Sequence, residues 1–216
     1  AHVDFAALLC EAVPGLAQAP DALHLQLAAA PQLRRAILIS PGERSGFVGR
    51  SDFHQSAQWV PPEQVYEQAR RVSLRSVVAI LYTSGTTANP KGCMLSHEAL
   101  SRGPVERAAY RLAVPGENLH WGAGPLFHIG SLGPALGALG AGYTYATDLF
   151  YDAPRALALI REHRATTIWP WFPAIVLGLL EQPGFDGAHL PHVQRIILIA
   201  AATVVQRVQQ RFPQAE

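Results

Sequence analysis

Apolar positions along this chain follow two habits. Short runs of β-branched and aliphatic residues alternate with stretches where apolar residues recur every three or four positions. That alternation of strand and amphipathic-helix patterns predicts an α/β protein with a largely parallel sheet. A helix is expected over residues 4–12, stopped by Pro14-Gly15, then a strand over 33–39 closed by Pro41-Gly42, and a Gly-, Pro- and Ser-rich loop over 40–49. Pro62 suits the first position of a helix running to about Arg71. Residues 77–83 (VVAILYT) form a buried-strand pattern, and a polar loop over 84–92 leads to a helix with Ser96 as its N-cap and Glu98 in the first turn. That helix should end near Arg111, before Pro115-Gly116. Beyond it, strands at 142–146, 166–169 and 195–199 alternate with helices at 152–164, 171–181 and 203–212, for which Asp152 and Thr203 are acceptable N-caps. There is no internal repeat or heptad array.

Residues 118–147 carry no charged side chain and contain Gly133-x-x-x-Gly137, which admits a membrane-helix reading. Two His, two Pro and seven Gly interrupt the stretch, so a buried α/β segment, with glycines where a helix lies close against a sheet, accounts for it better.

Composition narrows the class. Of the 216 residues, 49% are hydrophobic, which excludes disorder, and a net charge of +1 gives no basic surplus for nucleic acid. Charged residues make up 15%, against about 25% in an ordinary domain, so part of the exterior is expected to be covered. The only cysteines, Cys10 and Cys93, are too few and too far apart for a disulfide framework and favour a reducing, cytoplasmic setting. The chain opens with neither an initiator Met nor a basic-then-apolar leader, and is expected to be a trimmed or internal piece.

One segment carries chemistry: residues 82–92, YTSGTTANPKG. It offers hydroxyls at Thr83, Ser84, Thr86 and Thr87, a sharp turn at Gly85, and an ammonium at Lys91 beside Gly92. Backbone amides, hydroxyl donors and a compact positive charge together suit a polyphosphate. Lys91 is the single lysine among seventeen basic residues, and it falls in this loop. The segment is not G-x-x-x-x-G-K-[ST], and G-x-G-x-x-G is absent, so P-loop NTPases and dinucleotide-binding dehydrogenases recede. An ordinary hydroxyl-rich turn remains the plain alternative.

This segment closely resembles the phosphate-loop signature of the AMP-forming acyl-CoA synthetases, in the adenylate-forming superfamily, with Ala88 where that pattern usually has Gly. Residues 125–128 (PLFH) resemble that family's element lining the carboxylate pocket, and 165–181 resemble another wall of it. Residues 195–216 resemble the strand and helix before the family's Y-G-x-T-E signature, which would lie beyond Glu216. The resemblance implies fragments of two αβαβα-type sub-lobes of the N-terminal domain: 1–112 with the phosphate loop, and 113–216 with the acyl-pocket wall.

It further implies ATP, Mg²⁺ and CoA as reactants, a fatty or aryl acid as substrate, and the C-terminal lobe of the same enzyme as partner. Thr83, Ser84, Gly85, Thr86, Thr87, Lys91 and Gly92 would hold the β- and γ-phosphates, with Lys91 neutralising the leaving pyrophosphate. His128 would lie beside the substrate carboxylate, and Trp171 and Phe172 would line the acyl tunnel. Ala200, Ala201 and Ala202 stand where many members have a Gly-rich turn, and their methyls would narrow the pocket. A non-catalytic nucleotide- or acyl-binding module is the second reading. His189-x-x-His192 has metal-like spacing, but Leu190-Pro191 intervenes and nothing nearby completes a ligand set.

Overall fold

A computed structural model describes residues 3–83 and 89–216. The chain divides into two compact units, Ala1–Val72 and Ser73–Glu216.

In the first unit, helix α1 (Phe5–Ala12) starts where the Asp4 carboxylate accepts from the Ala7 amide at 2.9 Å, satisfying a donor left free by the first turn. Arg44 donates to both oxygens of that carboxylate, at 2.8 and 2.9 Å, and the amide and guanidinium together hold Asp4 below its ordinary pKa. Leu16, Leu25 and Ala36 form a small core with Leu33 and Phe47 against it. Strand β1 (Ile37–Leu38) pairs in parallel with β2 (Val48–Gly49), and helices α2 (Arg50–Ser56) and α3 (Pro62–Arg71) follow with no buried residue. The strand expected over 33–39 shrinks to two residues because Leu33 is drawn into a turn, its amide donating to the Ala30 carbonyl at 3.0 Å.

The second unit opens with an antiparallel hairpin, β3 (Val77–Thr83) and β4 (Lys91–Ser96). The strand at 77–83 is where the aliphatic run predicts it, but it is not buried; Val77, Val78, Ile80 and Tyr82 are all exposed. A two-stranded ribbon has no third layer of its own to bury either face, and β4 was not expected because KGCMLS lacks a clear alternation. Ser96 caps helix α4 (His97–Glu106), accepting from the Ala99 amide at 3.2 Å, and a π-turn carries the chain on to Arg111.

Four parallel strands follow in the order β6-β5-β7-β8: β5 (Leu119–Gly122), β6 (Thr144–Ala146), β7 (Thr167–Trp171) and β8 (Arg195–Leu198). The Thr166 hydroxyl bonds both the amide and the carbonyl of Leu119, each at 3.1 Å, clamping the start of β5 to that of β7. Helices α6 (Ala153–Glu162), α7 (Pro173–Leu180) and α8 (Ala202–Arg211) supply Ile160, Val176, Leu179 and Val208 to a core shared with Trp121, Ile168 and Phe212. The helix expected from 171 begins at Pro173, because Trp171 still pairs with β8. The cap of α8 is Ala201, with no side-chain bond, rather than Thr203.

Helix α5 (Ile129–Gly140) lies on α4. A Cβ at Gly137 would stand 2.5 Å from the Pro104 carbonyl oxygen, and one at Gly140 would meet Val105. These glycines therefore bring helix against helix, not helix against sheet as the sequence suggests. Among the described residues no helix is long and apolar enough to cross a membrane. Gly137→Ala should force α5 off α4 and destabilise the chain by about 1–3 kcal/mol. Gly133→Ala, whose Cβ would sit 3.9 Å from Pro104, should be neutral or stabilise by up to about 1 kcal/mol. Urea unfolding of the two variants reads the difference.

Candidate active site

Parallel sheets present ligand sites beyond the carboxyl ends of their strands. Here those ends are Gly122, Trp171 and Leu198, each leading to a helix. His128 occupies the N-cap of α5, its Nδ1 accepting from the Gly130 amide at 3.1 Å. A ring nitrogen that accepts carries no proton, so the neutral imidazole holds its hydrogen on Nε2, as a donor not used by the cap. The ring is exposed and meets Trp171 edge-on, centroids 5.2 Å apart; Trp171 meets Phe172 in the same way at 5.8 Å.

Trp171 has φ 69°, and the Phe172 amide donates to the Pro170 carbonyl at 2.8 Å across it. That is a γ-turn of the strained kind, costing about 1–3 kcal/mol for a residue other than glycine. The turn ends the strand and lays the indole across α5, where a Cβ at Gly130 would fall 1.2 Å from the ring. Only glycine leaves room there.

Beside this rim opens a cavity of about 480 Å³ under α4 and α5. Ile129, Gly130, Trp171 and Ile199 form its mouth, while His120 and Trp169 line it deeper along the strands. The register pairs His120 with Thr167 and Gly122 with Trp169, so alternation puts His120, Thr167 and Trp169 on the face opposite the main core. That face holds every buried side-chain polar atom without a hydrogen-bond partner among the described residues: both His120 nitrogens, Thr167 Oγ1 and Trp169 Nε1. His120 is fully buried, edge-on to Tyr143 at 5.5 Å, and desolvation pushes its pKa down to about 4. It is neutral at pH 7.

Lys91 opens β4 directly opposite Thr83, the last residue of β3, so both side chains project from one face at the ends of the signature loop. Both are exposed. Gly92 faces Tyr82, and a Cβ there would stand 2.9 Å from Ile80 and 3.4 Å from the Tyr82 ring, which lies across the glycine. Ser84, Gly85, Thr86 and Thr87 lie outside the described residues. Ala200, Ala201 and Ala202 follow β8, whose Leu198 pairs with Trp171, and so continue from the cavity rim at Ile199. The structure thus brings together His128, Trp171 and Phe172 by edge-on ring contact, and the alanine turn by strand register. His189 and His192 do not converge: His189 sits 3.8 Å from Asp186, and His192 Nε2 lies 3.1 Å from the Ile160 carbonyl. No group of three potential metal ligands occurs among the described residues.

Sequence reasoning passed over His120 and Trp169. The signal available was two large nitrogen-bearing rings in short strands, but only the register shows that they share a face.

A family model described as AMP-binding enzyme matches residues 2–215. The chain belongs to that family. Its relatives and structural neighbours are AMP-forming acid–CoA ligases and synthetases. It is 34% identical over 151 residues to 4-coumarate–CoA ligase 1 of Solanum tuberosum, covering 65% of this chain and 27% of that protein. The chain thus spans about a quarter of the length of the curated relatives it matches. ATP-bound MatB from Rhodopseudomonas palustris superposes with a TM-score of 0.56 at 27% identity, over 66% of this chain and 28% of that one. O-succinylbenzoate CoA synthetase from Bacillus subtilis, in complex with ATP and magnesium ion, gives 0.57 at 22% identity, over 65% and 29%. The latter is a likeness of fold. The family's adenylate-forming N-terminal architecture is the one this α/β unit shares.

The buried imidazole makes a stability prediction. His120 has a folded pKa of about 4 against 6.5 when exposed, so the unfolded chain takes up the proton first as pH falls. The stability of the neutral ring is complete above pH 6.5 and is lost between there and pH 4, by roughly 3 kcal/mol. In urea unfolding, His120→Phe should lose about that much less than the unsubstituted chain between pH 7 and 4.

Proposed function

We propose that the protein carrying this chain is an ATP-dependent carboxylate–CoA ligase acting on a fatty or aryl acid. The observation that carries the reading is a largely apolar cavity whose mouth, at the strand ends, lies beside the imidazole donor of His128. In this reading the acid's tail enters between sheet and helices while its carboxylate stays at the rim and accepts from His128 Nε2–H. A carboxylate oxygen attacks the α-phosphorus of ATP, the bond to the β-phosphate oxygen breaks, and pyrophosphate leaves. The thiolate of CoA then attacks the acyl carbonyl, and AMP departs.

A carboxylate is a weak nucleophile, so the protein's contribution is positioning and charge neutralisation. Lys91 and Thr83, on one face of the hairpin, would flank the β- and γ-phosphates together with Ser84, Gly85, Thr86, Thr87 and Gly92. Magnesium would accompany ATP as its counter-ion and draw charge from the same oxygens. Ala200, Ala201 and Ala202 would set the pocket's width at the adenylate, and Trp171 and Phe172 its aromatic rim. In this scheme the β3–β4 hairpin serves the nucleotide and the cavity between the sheet and α4–α5 the acid, with the C-terminal lobe of the same enzyme completing the site. A cytoplasmic setting goes with the paucity of cysteine. A binding module without catalysis is the second reading.

Carboxylate-dependent exchange of labelled pyrophosphate into ATP separates the two. The full-length protein should catalyse it, Lys91→Ala should lower it about 10²–10³-fold, and the 216-residue chain alone should show none. Unchanged exchange in Lys91→Ala would remove the role given to the ammonium.

His128 has two duties that a substitution can separate. His128→Asp keeps an acceptor to cap α5 but sets a negative charge beside the substrate carboxylate. It should fold with an unchanged Tm and raise KM for the acid at least tenfold. An unaltered KM would move the carboxylate away from this residue.

A further inference from the structure

The hairpin that carries Lys91 has little to fix its register. Both faces of β3 are largely exposed, so no buried side demands one alignment, and the pairing already shifts once, between Val77 and Ala79. Register is strongly specified only where a face is buried, and a slip by one residue turns every side chain to the other side. At the loop end such a slip would carry Lys91 away from Thr83. Yet the last two rungs, Tyr82 with Gly92 and Thr83 with Lys91, are regular. The Tyr82 ring accounts for that. Its Cζ and Cε1 lie over Gly92, where a Cβ would stand 3.4 and 3.5 Å from them and 2.9 Å from Ile80 Cγ2. Gly92 is not among the glycines of positive φ, so what is required of it is space rather than an unusual backbone. That space opens away from Lys91: neighbours in a strand point to opposite faces, so the side chain Gly92 lacks belongs to the face of Tyr82. A glycine in a strand weakens it, and an aromatic residue directly across restores part of what is lost.

We propose that Tyr82 is a positioning residue for nucleotide binding: its ring, seated on Gly92, pins the last rungs of the hairpin and so keeps Lys91 and Thr83 side by side on the opposite face. The proposal rests on the ligase reading, which sets the β- and γ-phosphates against Lys91. Tyr82 touches no substrate in this role. It acts through the strand that carries the ammonium. The atoms that cover the glycine are ring carbons, so the hydroxyl adds nothing to the seat. A branched aliphatic side chain lacks the breadth to reach across. Gly92 is needed as the seat itself, since a methyl there would lift the ring and press on Ile80.

The test uses the full-length protein, with MgATP affinity read by equilibrium titration and KM values by acid-dependent pyrophosphate exchange. Tyr82→Ala and Tyr82→Leu should weaken MgATP binding and raise KM for ATP about fivefold, the upper end of what a cross-strand pair contributes, with KM for the acid unchanged. Tyr82→Phe should keep both at the wild-type values. Gly92→Ala should show the same split between ATP and acid. Adding it to Tyr82→Ala should cost less than the product of the two, because the ring it displaces is already gone. A general loss of packing would instead lower Tm and move both KM values together. In a Lys91→Ala background the effect of Tyr82→Ala on ATP should fall to about twofold or less, since the group being positioned is absent. Wild-type affinity for MgATP in Tyr82→Ala would overturn the proposal, as would a loss undiminished in the Lys91→Ala background. Failure of Tyr82→Phe to keep the affinity would overturn it too, by giving the role to the hydroxyl. Each of these leaves the ligase reading in place. Full-length protein that binds MgATP without acid-dependent exchange would sink that reading alone, and the affinity series would still decide on Tyr82. No binding of MgATP at all would sink both. If Tyr82→Ala does not fold, Tyr82→Leu carries the comparison.

Discussion

Helix α5 can lie on α4 only because Gly137 and Gly140 present no side chain where the Pro104 carbonyl and Val105 stand. Much else in the second unit depends on that approach. With α4 and α5 held together, they roof one face of the four-stranded sheet, while α6, α7 and α8 fill the other with a dense apolar core. Had α5 carried larger residues at those positions, the two helices would have been wedged apart over the sheet. The cavity is the space left between a thin helical pair and strands whose inward side chains are few and large. Glycine serves the same geometry at the rim, where Gly130 yields its place to the Trp171 indole.

Strand and helix patterns were legible where local chemistry and tertiary packing agree. Helix α3 starts at Pro62 as the fixed φ of proline suggests, and Asp4, Ser96 and Asp152 cap the helices they precede. Disagreements arise where a distant contact outweighs local preference. Leu33 is drawn into a turn and a small core, and Trp171 is kept in the sheet by β8. The hairpin strand β3 has the apolar run of a core strand, yet both its faces are largely uncovered. That composition suits a surface meant for packing, in keeping with the chain's low proportion of charged residues.

The candidate site was legible in its outer parts. PLFH led to a histidine that caps a helix at the cavity mouth, and the alanine turn after β8 lies where the rim continues. Tyr82 and Gly92, at either end of the signature, proved to be an aromatic ring laid over a glycine, a packing reason for both residues besides any role toward phosphate. The inner parts were not legible. His120 and Trp169 lie about fifty residues apart in the chain, and only the pairing of β5 with β7 sets them on one face.

That pairing also separates two kinds of evolutionary freedom. Along β5 and β7, alternate positions belong to different structures: Trp121 and Ile168 to the core that holds the unit together, His120 and Trp169 to the space a ligand would occupy. A substitution at one set need not disturb the other, because the backbone of the sheet stands between them. Lineages descended from such a protein can exchange residues on the ligand side one at a time, altering what the cavity accepts, while the opposite face conserves the capacity to fold.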